Sequence, residues 1–220
     1  MIRLGIDTAS VVCVGLARDE AALGSLVVAD SRAHVEKLIP LAEELLAGNG
    51  VAWEDLDEIA VGVGPGPFTG LRVGVAAAIA LGEALAIEVR GVCTLDALAL
   101  QVGREVAEFV VASDARRREL YWARYAAGQR MAGPFVTRPS ELPRLPICGP
   151  AARLYELPGP VLDAAAELDA GLLAANAHRL PAAGLEPLYL RRPDADVSVK
   201  HKSVLPRISR NALRDKGGDK

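Results

Sequence analysis

The sequence predicts an α/β protein of two lobes, in which a β-β-β-α-β-α order occurs twice, the second time in reduced form. Three observations predict it. An apolar run ending in an acidic residue and a small-residue turn appears at Arg3-Leu4-Gly5-Ile6-Asp7-Thr8-Ala9 and again at Phe109-Val110-Val111-Ala112-Ser113-Asp114-Ala115. Each is followed by an alternating strand, Val11 to Leu16 in one and Glu119 to Tyr125 in the other. Between the two copies, Gly62-Val63-Gly64-Pro65-Gly66-Pro67-Phe68-Thr69-Gly70-Leu71-Arg72-Val73-Gly74 joins a short buried strand to a long helix of small and apolar residues.

In chain order, residues 2–8, 11–18 and 23–29 read as an antiparallel meander with turns at Thr8-Ala9-Ser10 and Arg18-Asp19-Glu20. Ser31 can cap an amphipathic helix that runs through His34, Leu38, Leu41 and Leu45, is interrupted by Pro40 and ends at Gly48-Asn49-Gly50. A strand at 58–63, the glycine junction, a helix capped by Thr69, a strand at 87–92 and a helix begun by Thr94 as N-cap complete a first lobe over residues 1–107. The second lobe, 108–193, is broken by prolines at 134, 139, 143, 146, 150, 158 and 160. It is expected to keep a small sheet, a strand near Ile147, a helix at 164–180 and an extended piece at Pro187-Leu188-Tyr189-Leu190-Arg191. This repeated order is the signature of an actin-like fold of the ASKHA or hexokinase type. From 194 to 220 core periodicity is lost, and seven Lys and Arg face four Asp, so a basic, disordered tail is expected.

A glycine-rich turn before a helix invites a phosphate-loop reading, since free N–H groups at a helix start attract anions. The Lys-Ser/Thr ending of such a loop is missing, and Pro65 and Pro67 remove donors. A rigid junction that aims the helix is the competing reading. Arg72 lies in the first turn, where a cation is disfavoured unless an acidic group faces it. Gly70, Gly74, Ala78 and Gly82 recur every fourth residue and form a ridge of small side chains. Interior glycines cost about 1 kcal/mol each relative to alanine, so the ridge needs a close contact. Either the chain's own sheet or a helix of a second protein would supply it.

A net charge of −3 gives no electrostatic case for the whole body binding nucleic acid, so any RNA contact must be local or made through a partner. Cys13, Cys93 and Cys148 have no metal-type spacing and lie in apolar contexts, which reads as reduced core cysteines of a cytoplasmic protein. The N-terminus reaches Asp7 too soon for a secretory signal, and no run of apolar residues is expected to span a membrane. Asp7 and Asp114, with Thr8, are candidates for a nucleotide cleft between the lobes; an Asp capping a tight turn is the simpler reading of each. His34, His178 and His201 are scattered, and neither a Gly-x-Ser-x-Gly elbow nor a polar, electropositive cysteine exists. No residue set accounts for catalysis.

The Gly62–Gly74 stretch resembles the hallmark segment of the TsaB (YeaZ) family of tRNA threonylcarbamoyladenosine biosynthesis proteins, with Pro67 in place of the more usual Ser. Leu4-Gly5-Ile6-Asp7-Thr8-Ala9-Ser10, His34-Val35-Glu36-Lys37-Leu38-Ile39-Pro40, Gly91 through Ala99, Ser113-Asp114-Ala115-Arg116-Arg117 with Tyr121, and Pro187 through Arg191 extend the resemblance over residues 2–192. It implies an actin-like fold and a non-catalytic scaffold subunit in the transfer of a threonylcarbamoyl group to the adenosine beside the anticodon. It further implies pairing with a TsaD-type subunit through the helices Ser31 to Ala47 and Thr69 to Leu85, docking of a TsaE-type ATPase, a homodimer in isolation, and contact with tRNA only through the complex. On this basis the partner interface is expected at His34, Leu38, Leu41, Leu45, Gly70, Arg72, Gly74, Ala78 and Gly82. No metal and no resident cofactor are implied, beyond weak ATP or ADP binding in the assembled complex. An actin-fold kinase or a TsaD-like metalloprotein acting alone is the alternative.

Overall fold

The computed structural model describes residues 1–28, 34–103 and 105–191, with the side chains at 34 and 35 outside the described set. The expected cap at Ser31, the side chain of His34 and the basic tail at 194–220 lie outside the described residues.

Two sheets form. The first has the strand order β3-β2-β1-β4-β5, built from β1 (Ile2–Asp7), β2 (Val12–Arg18), β3 (Ala21–Val28), β4 (Glu58–Gly62) and β5 (Glu88–Val92). The second has the order β8-β7-β6-β9, built from β6 (Glu108–Asp114), β7 (Leu120–Ala126), β8 (Gln129–Thr137) and β9 (Ile147–Cys148). In each, the first strand pairs antiparallel with the second and parallel with the fourth. The duplication expected from sequence is therefore realised in four strands of each sheet, with β5 the additional strand of the first, and the fold is actin-like.

Alternation along β1 sorts its two faces. Leu4 and Ile6 point into the core shared with α1 (His34–Gly48) and α2 (Phe68–Leu85), together with Leu38, Leu45, Val75 and Ala78. On the other face, Gly5 and Gly15 pair across β1 and β2, and a Cβ on either would collide with the backbone of Ala170. That bare floor seats α4 (Ala170–Asn176), whose N-cap Asp169 accepts from the amides of Gly171 and Leu172 at 2.8 and 3.2 Å. Arg3, nearly fully buried, donates to the carbonyl of Ala174 at 2.6 Å and pairs with Glu58 at 2.6 Å, which also holds Arg90 at 3.0 Å.

Three expectations are corrected. The helix expected at 164–180 is only Ala170–Asn176; it packs on the first sheet, where the Gly5/Gly15 floor lies, and its Leu173 also joins the core that holds Phe109 and Val111 of the second sheet. Helix α2 starts at Phe68 with Pro67 as N-cap and no side-chain cap, so Thr69 does not cap it. Helix α2 is also long and apolar enough, by length and composition, to cross a membrane. In this fold, however, its Leu71, Val75 and Ala78 are buried against the sheet. Strand β8 was not placed from sequence: Gly133 and Pro134 fall inside it, which an edge strand tolerates because one side of its ladder is unpaired.

Candidate functional site

The glycine junction is filled from within. Gly64 donates its amide to the hydroxyl of Thr94 at 3.1 Å and accepts the amide of Thr94 at 2.8 Å. A Cβ on Gly66 would meet the backbone of Ala9. Residues 62–66 are buried, so their amides do not form an open anion cradle and the rigid-junction reading holds. The Thr94 hydroxyl also donates to Asp7 at 2.6 Å, while the other Asp7 oxygen accepts the amide of Ala9 at 2.7 Å. Asp7 is 2 % exposed, and burial pushes its carboxyl up to about 6 against the lowering effect of those two hydrogen bonds. Gly62 leaves the space that its carboxylate occupies.

Asp7 lines a cavity of about 200 Å³ together with Ser10, Cys13, Thr94, Pro150 and Glu167. Asp114 is not among its lining residues. It accepts from the amide of Arg116 at 2.9 Å and from the hydroxyl of Tyr155 at 2.8 Å, which is the turn-forming role of an Asp at a strand end. The two aspartates thus sit in separate hydrogen-bond networks. Thr8, also placed in the candidate cleft, is turned the other way: it is buried and donates to the carbonyl of Gly70 at 2.7 Å.

The small-residue ridge faces the chain's own sheet. Gly70 and Gly74 lie against Thr8, Gly82 lies against Val89, and Ala78 is 0 % exposed in the core. Gly70, Gly74, Ala78 and Gly82 are therefore removed from the exposed surface expected for them, and so is Leu45, which is buried with the apolar stripe of α1. Leu41 is half-buried against the same core. The physical reason is that the strands approach α2 most closely along its glycines, and the amphipathic stripe of α1 is used to cover the sheet.

The opposite face of α2 is the open one. Arg72, Ala76 and Ala80 are exposed at every fourth position, flanked by the half-buried Val73, Ala77 and Leu81. With Leu38 and Ile39 of α1 they line an apolar groove of about 610 Å³. On the far side, Ala76 and Ile79 continue into a second depression bordered by Leu185, Pro187 and Tyr189. The Arg72 guanidinium lies 3.9 Å from the centre of the Phe68 ring and donates to the Tyr189 hydroxyl at 3.1 Å. The Phe68 ring face and the Tyr189 hydroxyl, rather than the acidic partner expected at a helix start, compensate this cation. The sequence reading missed Ala76, Ala80 and Tyr189. The alanines carry the same four-residue spacing as the glycines and only the burial of the helix tells the two stripes apart.

Among the described residues, no group of three or more His, Cys, Asp or Glu is arranged to hold a metal ion. Cys13, Cys93 and Cys148 are buried and unpaired with one another, as expected of core thiols.

Comparison with known proteins places these features in a family. The family model described as "TsaD: tRNA N6-adenosine threonylcarbamoyltransferase" matches residues 28–203, continuing past the point at 192 where the sequence resemblance was drawn to end. An uncharacterized protein of Mycobacterium tuberculosis is 46% identical over 200 residues, covering 87% of this chain and 92% of that protein. The tRNA threonylcarbamoyladenosine biosynthesis protein TsaB of Escherichia coli is 32% identical over 124 residues, covering 56% of this chain and 54% of the relative. In structure, YeaZ from Pseudomonas aeruginosa superposes with a TM-score of 0.70 at 28% identity, covering 86% of this chain and 99% of that one. A chain with the Gly62–Gly74 junction, the doubled sheet order and these likenesses over most of its length belongs to the TsaB (YeaZ) family.

Proposed function

We propose that this chain acts in threonylcarbamoyladenosine modification of tRNA as a non-catalytic subunit that pairs with a TsaD-type protein. The observation that carries this reading is the exposed apolar face of α2 beside α1. An 18-residue helix whose outer side presents Ala76, Ala80, Val73 and Leu81 over a groove leaves apolar surface that a partner helix would cover. The expected interface keeps Arg72 at the edge of the groove and gains Ala76 and Ala80, while Leu38, buried like Leu45, contributes only to the floor. Asp7 supports the non-catalytic part: its carboxylate is already held by Thr94 and Ala9 and is desolvated. A second copy of the chain would use the same face when the TsaD-type partner is absent, a TsaE-type ATPase would dock on the pair, and the work would take place in the cytoplasm.

The test is co-purification with the TsaD-type protein of the same organism, followed by reconstitution of tRNA threonylcarbamoylation. Ala80→Leu should lower pull-down and modification together while leaving the melting temperature of the isolated chain unchanged. Full modification by a system lacking this chain, or turnover of ATP by this chain alone, would overturn the reading.

A further inference from the structure

The turn between β6 and β7 holds Arg116, Arg117 and Arg118 at φ of 61°, 54° and 60°, three consecutive left-handed residues, none of them glycine. Such a run is sterically costly and persists where its surroundings or its use require it. Its geometry has a clear effect. Successive side chains fan apart, so Arg116 and Arg117 line one depression and Arg117 and Arg118 line the next. The first is walled by Pro67 and Phe68 of the glycine junction and by Tyr121, Tyr189 and Arg191. The second, of about 630 Å³, is walled by Arg138, Ser140 and Tyr155. Each depression thus offers guanidinium groups beside aromatic rings, and Arg117 links the two.

We infer that this arginine fan is a direct RNA-binding surface, on which consecutive phosphates of a single-stranded or looped segment meet Arg117, Arg118 and Arg138 while bases lie against the neighbouring rings. The inference builds on the proposed role in tRNA modification and assigns to this chain a contact that the sequence reading left to the complex. A repeated pairing of cation and ring suits a strand that alternates phosphate and base better than it suits an isolated anion. Among the described residues, three carboxylates border the fan and limit it. Glu119 pairs with Arg191, Asp114 lies 3.4 Å from Arg116, and Glu156 lines the second depression. Arg117, Arg118 and Arg138 are exposed, and Arg118 and Arg138 carry the expectation.

The experiment is fluorescence anisotropy of the full chain with a labelled RNA hairpin bearing a single-stranded loop, titrated at several salt concentrations. Three phosphate contacts at about 0.7 each predict a slope of log K against log salt of about −2. Arg118→Glu with Arg138→Glu should reduce that slope to about −0.7 and weaken binding roughly 25-fold near 0.1 M salt, whereas Lys at both positions should keep most of the slope. Arg118→Gly separates a structural role from a binding one: relief of the left-handed backbone should raise the melting temperature while RNA binding falls. Ala80→Leu should leave RNA binding unchanged, so failure of the helix-face reading and failure of this one are distinguishable. A wild-type chain without salt-dependent binding, a doubly reversed variant that binds as wild type, or equal competition by poly-glutamate would each overturn the assignment.

Discussion

The hydroxyl group of Thr8 occupies the space that a Cβ on Gly74 would need, and it reaches past that glycine to donate to the carbonyl of Gly70 at 2.7 Å. The end of β1 and the first turn of α2 are thereby held in contact through one side chain. The two glycines are the condition for it.

Replacing Gly74 with Ala should therefore destabilise the isolated protein. The inserted methyl group meets a buried, hydrogen-bonded side chain, and overpacking of this kind costs roughly 1–3 kcal/mol. Gly82→Leu should do the same against Val89. Thermal melts give the comparison: Gly74→Ala and Gly82→Leu should melt lower than wild type, while Ala76→Leu on the outer face should not. Equal melting temperatures for the inner and outer variants would remove the ridge from the core.

Asp7 makes stability depend on pH in a particular direction. Its carboxyl titrates near 6 in the folded chain, above its ordinary value, so the folded state holds that proton more tightly than the unfolded state does. The group's contribution becomes more favourable as pH falls from 7 through 6 towards 4, and the charged form costs on the order of 2–3 kcal/mol above that window. Urea unfolding of wild type and Asp7→Asn at pH 7 and pH 5 should show wild type gaining about 1–1.5 kcal/mol relative to the variant on acidification. A gap between them that does not change with pH would place the carboxyl outside this window.

The lobes are joined by a polar contact under α3 (Thr94–Ala99). Tyr125 of β7 donates to Asp96 at 2.7 Å, with Arg130 of β8 at 3.6 Å. The second oxygen of Asp96 is buried without a hydrogen bond, and burial raises this carboxyl above its usual range. Tyr125→Phe should cost about 1–3 kcal/mol by leaving both oxygens short of donors. Asp96→Asn in the Phe background should recover part of that loss, because an amide carries no charge to desolvate. Equilibrium unfolding of the two single variants and the double variant reads the coupling.

Gly15→Ala tests the seat of α4. A Cβ at this position collides with the Ala170 backbone, which cannot yield as a side-chain tip would. The helix should lift from the sheet, and limited proteolysis should cut between residues 165 and 180 sooner than in wild type. An unchanged cleavage pattern would show that α4 can shift without losing its seat.

Much of this architecture was legible because local pattern and tertiary role coincide. The Asp-bearing strand ends, the alternation of β2 and β7 and the Gly62–Gly74 junction announce themselves in composition, and the structure forms strands and a strand-to-helix junction at these positions. Elements failed to show where local signals conflict with context. Gly133 and Pro134 disguise β8, and the alanine and glycine stripes of α2 have the same period, so spacing alone could not say which one the sheet would claim. Asp7 was recognised as special, but its partner was not: Thr94 is 87 residues away and read only as a helix cap. The arginine fan was visible as three letters, and only their left-handed backbone spreads them over two depressions.

The seating of α4 on the Gly5/Gly15 floor bears on how the chain is made. Arg3 and Glu58 are brought together by β1 and β4, yet the carbonyl that completes the Arg3 network belongs to Ala174. During synthesis the first five strands can pair long before that carbonyl leaves the ribosome, and until it does one face of their sheet stays wet and Arg3 has Glu58 but not its carbonyl acceptor. The first lobe is consequently translated early and finished late.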